Sequence, residues 1–262
     1  MEDYRRILQH NREWAAAMVA ADPQYFEKRA AKQEPTFLYI GCADSRVPAN
    51  VVTGTEPGEM FVHRNIANVV LPSDLNAMCV LQYAVEVLDV KHVIVTGHYG
   101  CGGVKAAMGS AQHGLVDHWL QPIRNVVRWN EEELNQLPDE QSRFDRVVEL
   151  NVLEQIYHLS ETPIIQNAWA KGGRPHLHGF VYDLKTGLLR EIATDVNSQK
   201  AADQLATRRL SGVPAGPPPV AGKLQAPQTM PALDVTSGEL ADAIAKRVLD
   251  RLATVGVPIK SK

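Results

Sequence analysis

The sequence predicts an α/β fold, with a mainly parallel central sheet flanked by helices. Val93, Ile94 and Val95 form a continuous β-branched run inside His92–Thr96, closed by Gly97. A strand of that composition is normally buried on both faces, as parallel strands are. Short runs of this kind alternate along the chain with longer stretches of helical periodicity. The chain has 262 residues, 45% hydrophobic and 22% charged, so it can bury a large core. It lacks any stretch of about 18 consecutive apolar residues, so no membrane span is expected.

Each element follows from local pattern. Ile7, Leu8, Trp14 and Met18 recur at helical spacing between Tyr4 and Ala20, and Asp22-Pro23 then separates this helix from a second. Phe37-Leu38-Tyr39-Ile40 reads as a strand, and Glu59 to His63 as another. Leu75, Met78, Cys79, Leu81, Val85 and Leu88 give a helical face after Asp74, a suitable N-cap. Val147 to Lys171 is helical with a break at Pro163. Leu177–Leu184 and Leu188–Ile192 flank Lys185-Thr186-Gly187 as a hairpin. Three segments are expected: a main domain over 1–210, a Pro-rich linker over 211–236, and a C-terminal amphipathic helix and tail over 237–262. In the last, Leu240, Ile244, Val248 and Leu252 follow an N-cap at Ser237.

A formal net charge of -3 gives neither the basic footprint of a nucleic-acid binder nor a polybasic membrane patch. A small-molecule partner is the remaining expectation. Met1 to His10 is charged throughout and lacks the apolar core of a secretory signal, so a cytoplasmic location is expected. There are three cysteines, Cys42, Cys79 and Cys101, an odd number that argues against a disulfide framework. They could be packing residues, a reactive thiol or metal ligands.

Context separates them. Cys42-Ala43-Asp44-Ser45-Arg46 follows the strand at Phe37, and Gly97-His98-Tyr99-Gly100-Cys101-Gly102-Gly103 follows the strand at Val93. Ligands of open parallel sheets sit outside the carboxyl ends of the strands, so adjacent strands would bring Cys42, His98 and Cys101 together. Two thiolates and one imidazole suit zinc and leave a fourth tetrahedral position open. The glycines let a tight loop present His98 and Cys101 at once. A phosphate cradle is the alternative for that loop, but neither phosphate-binding fingerprint is matched. Asp44 and Arg46 can form a charge-assisted pair beside the first ligand. Cys79 lies on the expected apolar helix face and reads as core.

Cys-x-Asp-x-Arg followed by His-x-x-Cys, with Glu56-Pro57-Gly58-Glu59 and Arg64-Asn65-Ile66-Ala67-Asn68 between them, resembles the β-carbonic anhydrase family over roughly residues 1 to 210. The resemblance implies zinc-dependent, reversible hydration of carbon dioxide to bicarbonate and a proton. Zinc lowers the pKa of water to about 7, and the resulting hydroxide, oriented by the Asp44–Arg46 pair, attacks carbon dioxide. Cys42, His98 and Cys101 match the zinc ligands. Asp44 matches the aspartate that either orients the hydroxide or itself ligates zinc, and Arg46 matches its partner. Gln33 matches a substrate-binding glutamine supplied from a neighbouring subunit, and Phe61 with Tyr83 matches the aromatic lining of the carbon dioxide pocket. N-terminal helices that embrace a neighbour, Trp14 at that interface, and a homodimer or homotetramer are implied as well.

Gly41 and Val47-Pro48-Ala49 resemble the bacterial subclass regulated by bicarbonate, in which Asp44 swings onto zinc while an anion is held nearby. Arg64 and Tyr182 match two residues of that anion site, and Tyr39 stands where the subclass has tryptophan. His63, His92 and Tyr99 lie near the relevant segments but are not singled out as proton shuttles. His176 and His178 alternate on a strand, an arrangement that could suggest a second metal and more often faces solvent. Rival readings are a hydrolase of carbon disulfide or carbonyl sulfide on the same scaffold, a zinc or bicarbonate sensor, and a redox protein. The last is disfavoured because Cys42 and Cys101 are not a Cys-x-x-Cys pair.

Overall fold

A computed structural model of the chain describes residues 2–210. The linker and C-terminal helix expected beyond residue 210 lie outside the described residues. In chain order the elements are α1 (Glu2–Ala21), α2 (Tyr25–Ala31), β1 (Phe37–Cys42), α3 (Ala49–Thr53), β2 (Met60–Asn65) and α4 (Leu75–Gln82). A π-helical turn, Tyr83–Val87, leads to β3 (His92–His98), α5 (Gly102–Met108), α6 (Val116–Trp119), α7 (Gln121–Trp129) and α8 (Glu131–Asn135). Then come α9 (Glu140–Ser160), α10 (Pro163–Gly172), β4 (His176–Asp183), β5 (Leu188–Val196) and α11 (Gln199–Leu210).

The five strands run in the order β2-β1-β3-β4-β5. The first four are parallel, and β5 returns antiparallel to β4 as the hairpin pattern predicts. Leu38, Ile40, Val93, Val95, Leu177 and Val181 are buried together on one sheet face, beneath α9. Glycines permit that approach: a β-carbon at Gly97 would sit 2.7 Å from Val152 Cγ2, and one at Gly179 2.9 Å from Val152 Cγ1. A β-branched side chain has little rotamer freedom to yield, so helix and sheet meet at backbone distance. The opposite face carries Phe37, His92, His176, His178, Phe180 and Tyr182, all part-buried.

The expected helix starts and stops are largely present. Asp74 caps α4 by accepting from Asn76 N at 3.0 Å, and Thr162 with Pro163 separates α9 from α10 as the break predicts. The face assigned to Leu75–Leu88 is corrected. Its buried stripe is Ala77, Leu81 and Ala84, while Cys79 is exposed. At about 100° per residue, Cys79 stands roughly 200° from Ala77, on the far side of α4. Cys79 is therefore not a core residue. Among the described residues, no helix is long and apolar enough to cross a membrane.

Candidate metal centre

The carboxyl ends of β1 and β3 meet at one point. Cys42 closes β1, His98 closes β3, and Cys101 follows in the turn that Gly100 makes with φ +71° before α5 begins. The candidate ligand atoms of Cys42, His98 and Cys101 lie within 4.8 Å of one another, and all three residues are buried. The sulfurs are 3.9 Å apart, close to the ~3.8 Å edge expected for two thiolates on tetrahedral zinc and far beyond a disulfide bond. His98 Nδ1–H donates to the Tyr99 carbonyl at 3.0 Å, which fixes the tautomer with a lone pair on Nε2. That Nε2 atom is fully buried with no hydrogen-bond partner. An orphaned imidazole lone pair beside two sulfurs at ligand spacing fits zinc.

The thiols are tuned as a pair. Cys42 is lowered to about 4, chiefly by hydrogen bonding with Cys101, then by the neighbouring His98 and by the backbone amides of Asp44 and Ala67, against burial that raises it. Cys101 is pushed far up in return, because it keeps the proton the pair shares. A bound dication would replace that proton and let both sulfurs carry charge. Asp44 stands beside them. Its Oδ2 lies 3.7 Å from His98 Nε2, and Arg46 grips the carboxylate in a fork, Nε to Oδ1 at 2.9 Å and Nη2 to Oδ2 at 2.6 Å. The Arg46 amide also donates to Oδ1, at 2.9 Å. Hydrogen bonds from the Arg46 side chain hold the Asp44 carboxyl well below the usual range, so it stays ionised at neutral pH.

The segment from Arg64 to Asn68 also has a physical account. Arg64 donates to the Cys42 carbonyl from Nε (2.9 Å) and Nη2 (2.7 Å), and to the Asp44 carbonyl at 2.6 Å. It braces the metal loop rather than forming a salt bridge between strands. Asn65 clamps the turn that follows through Val69 N (2.8 Å) and Val69 O (2.7 Å). Ile66 is exposed there and would touch a β-carbon at Gly103 at 3.0 Å. It therefore stands beside the ligand loop as an apolar wall that sequence reasoning passed over.

Sequence reasoning also missed the network behind Tyr99. Its hydroxyl donates to Glu149 Oε1 (2.8 Å) and accepts from Arg190 (3.0 Å). Arg190 and Arg146 both bind the same Glu149 carboxylate, at 2.7 and 2.9 Å. These partners come from β5 and α9, too far off in sequence for any local pattern to reveal. Burial pushes the Tyr99 hydroxyl up to about 12, so it exchanges no proton near neutrality. His63 is buried, and His92 begins the strand that His98 ends, about 20 Å away.

The carbonic anhydrase family profile matches residues 37–189. A carbonic anhydrase of Emericella nidulans is 48% identical over 194 residues, covering 74% of this chain and 85% of that protein. The chain belongs to the β-carbonic anhydrase family. A Coccomyxa β-carbonic anhydrase solved with acetazolamide aligns with TM-score 0.72 and 40% identity, over 76% of this chain and 90% of that one. One of two tetrameric β-carbonic anhydrases from Sordaria macrospora aligns with TM-score 0.70 and 39% identity, over 73% of this chain and 97% of that one.

Within this β-carbonic anhydrase chain the remaining expected residues lie apart from the candidate metal ligands. Gln33 is exposed ahead of the N-terminal end of β1, and Cys42 ends that strand about 17 Å further along. Phe61 pairs with Tyr83 at a ring separation of 5.9 Å. Phe61 sits in register with Leu38, four residues below Cys42 and about 13 Å from it. Tyr39 is fully buried, and its ring lies where a β-carbon at Gly41 would fall. Tyr182 sits opposite His98 on β4. Arg64 and Tyr182 belong to strands three spacings apart, about 14 Å.

Proposed function

We propose that this enzyme hydrates carbon dioxide to bicarbonate and a proton at zinc held by Cys42, His98 and Cys101. The observation that carries the reading is the orphaned His98 Nε2 facing two sulfurs 3.9 Å apart, with Asp44 beside it. Zinc, when bound, supplies the Lewis acidity that makes water a nucleophile near neutral pH. The chain's own contribution is orientation. Asp44 is kept ionised by Arg46, so it can only accept a hydrogen bond, and it directs the nucleophile's remaining lone pairs away from itself. Arg64 holds the backbone on either side of Asp44's approach by gripping the Cys42 and Asp44 carbonyls.

Stopped-flow hydration of the zinc-loaded enzyme from about pH 6.5 to 9 tests this. The rate is expected to rise with pH through the titration of the nucleophilic water. Asp44 adds no limb in that window, because its pKa is lowered and the carboxylate is charged throughout. Zinc bound with no turnover at any pH would favour the sensor instead.

The enzyme works as a homodimer or a pair of dimers, with Gln33, Phe61 and Tyr83 completing the partner's site. The distance of Gln33 and Phe61 along the strands from their own candidate ligands supports that reading, as does the apolar arm. Ile7 (66%), Leu8 (50%), Trp14 (44%) and Phe26 (38%) are exposed on α1 and α2. Trp14 meets Phe26 edge-on at 5.6 Å, an anchor suited to a subunit contact. Mixing and reassociating inactive Gln33→Ala with inactive Cys42→Ser subunits is expected to restore hydration, because one site of each hybrid is then complete. No recovery would place Gln33 within its own site.

A bicarbonate switch is the finer reading. An anion drawn to Arg64 would compete with the Asp44 carbonyl and loosen the loop, and Asp44, freed from Arg46, could then join Cys42, His98 and Cys101 in holding the metal. By the resemblance Tyr39 and Tyr182 would flank that site, Tyr182 reaching it from a strand about 14 Å from that of Arg64. Added bicarbonate is expected to depress hydration near pH 7 more than near pH 9; equal effects at both would remove the switch.

A further inference from the structure

At the end of the sheet opposite the cysteines, three histidines share the open face. Parallel pairing sets His92 against His176 and Ile94 against His178, and alternate residues of a strand project to the same side. The His92 ring is 5.1 Å from that of His178 and 5.6 Å from that of His176. His92 Nδ1 and His178 Nε2 are 3.0 Å apart. Two imidazole nitrogens on one first-row metal ion are separated by about 2.9–3.4 Å, depending on geometry.

The fourth member arrives through an irregularity. The β4–β5 ladder shifts register between Leu177 and Gly179, and Asp195 adopts φ +56° there. A bulge re-aims the side chain it carries, and a left-handed backbone is uncommon outside glycine, though aspartate tolerates it better than most. The result is a carboxylate bonded to His176 Nδ1 and a backbone N–H directed at His178 Nδ1 at 3.4 Å. Phe37 stacks on His92 at 5.5 Å and Phe180 flanks His178 at 6.2 Å, an apolar shell of the kind that surrounds metal sites.

We propose that His92 and His178 ligate a second divalent transition-metal ion, with His176 and Asp195 completing or orienting the site. Burial holds both His92 and His178 below the ordinary imidazole value, so their lone pairs are available at neutral pH. Asp195 remains ionised through its hydrogen bond with His176. Binding needs the His178 proton on Nδ1 in place of Nε2, so the long Asp195 N–H contact to Nδ1 gives way while no net proton is lost. The ion ties β3, β4 and β5 together about 20 Å from the catalytic ligands, and it is independent of them. His176 and Asp195 keep 29% and 60% of their side-chain surface exposed, which leaves an entry path.

Cobalt added to the zinc-loaded enzyme tests the site directly. One further Co2+ per chain is expected, showing d–d absorption without thiolate-to-cobalt charge transfer, while the first zinc is retained. His92→Gln/His178→Gln should take up no second ion yet keep its zinc and its hydration rate. Asp195→Asn, a change at an exposed side chain, should weaken cobalt binding about tenfold or more. No cobalt uptake by the wild type, uptake with thiolate bands, or uptake undiminished in both variants would each overturn the proposal.

Discussion

Cys42→Ser is expected to reduce bound zinc to a small fraction of one ion per chain and to lower the hydration rate by about 10³-fold or more, several kcal/mol of lost activation. The fold should survive. Cys42 lies at the strand's end, and serine leaves β1 pairing with β2 and β3 through the same backbone atoms. What serine removes is one of two charges: its hydroxyl does not ionise near neutrality as a thiol lowered to about 4 does. His98 Nε2 and Cys101 alone then leave the ion underbound. Metal analysis and stopped flow on the same preparation check this. Full zinc content with wild-type turnover would place the metal elsewhere.

Asp44→Asn is the complementary experiment, separating chemistry from metal binding. Asparagine keeps the size and can accept from Arg46 through its oxygen, but its amide end is a donor. A donor facing the nucleophile directs a lone pair to the wrong side. The expected result is about one zinc per chain and a hydration rate lower by about 10²-fold, the usual scale for a misaligned proton acceptor. The loss should appear in kcat more than in KM, because Asp44 does not itself bind carbon dioxide. Loss of zinc in parallel with rate would make Asp44 a ligand rather than an orienting group.

Much of the frame was legible from local pattern. The β-branched run at Val93 became the central β3, Asp74 caps its helix, and the hairpin after Leu177 pairs as expected, because each is fixed by residues close in sequence. The candidate ligand cluster was legible for a different reason: Cys42 and His98 close adjacent strands and Cys101 follows in the next turn, so topology brings them together. Cys79 was misplaced because α4 is short and turns Ala77 and Leu81 inward, a choice made by tertiary packing and not by periodicity. The helices between Gly102 and Asn135 carry weaker start signals: α5 to α8 show no side-chain cap, though Pro122 opens α7 and three glutamates open α8. The Tyr99–Glu149–Arg190 network joins residues from three elements, and Asp195 reaches its histidines through a bulge. Tertiary packing decides both, and no spacing rule encodes either.

Zinc K-edge absorption on protein loaded with one equivalent of metal per chain tests the central claim most directly. Two sulfur scatterers at about 2.3 Å, with nitrogen or oxygen near 2.0–2.1 Å completing four-coordination, are the predicted spectrum. A shell of nitrogen and oxygen alone would contradict it.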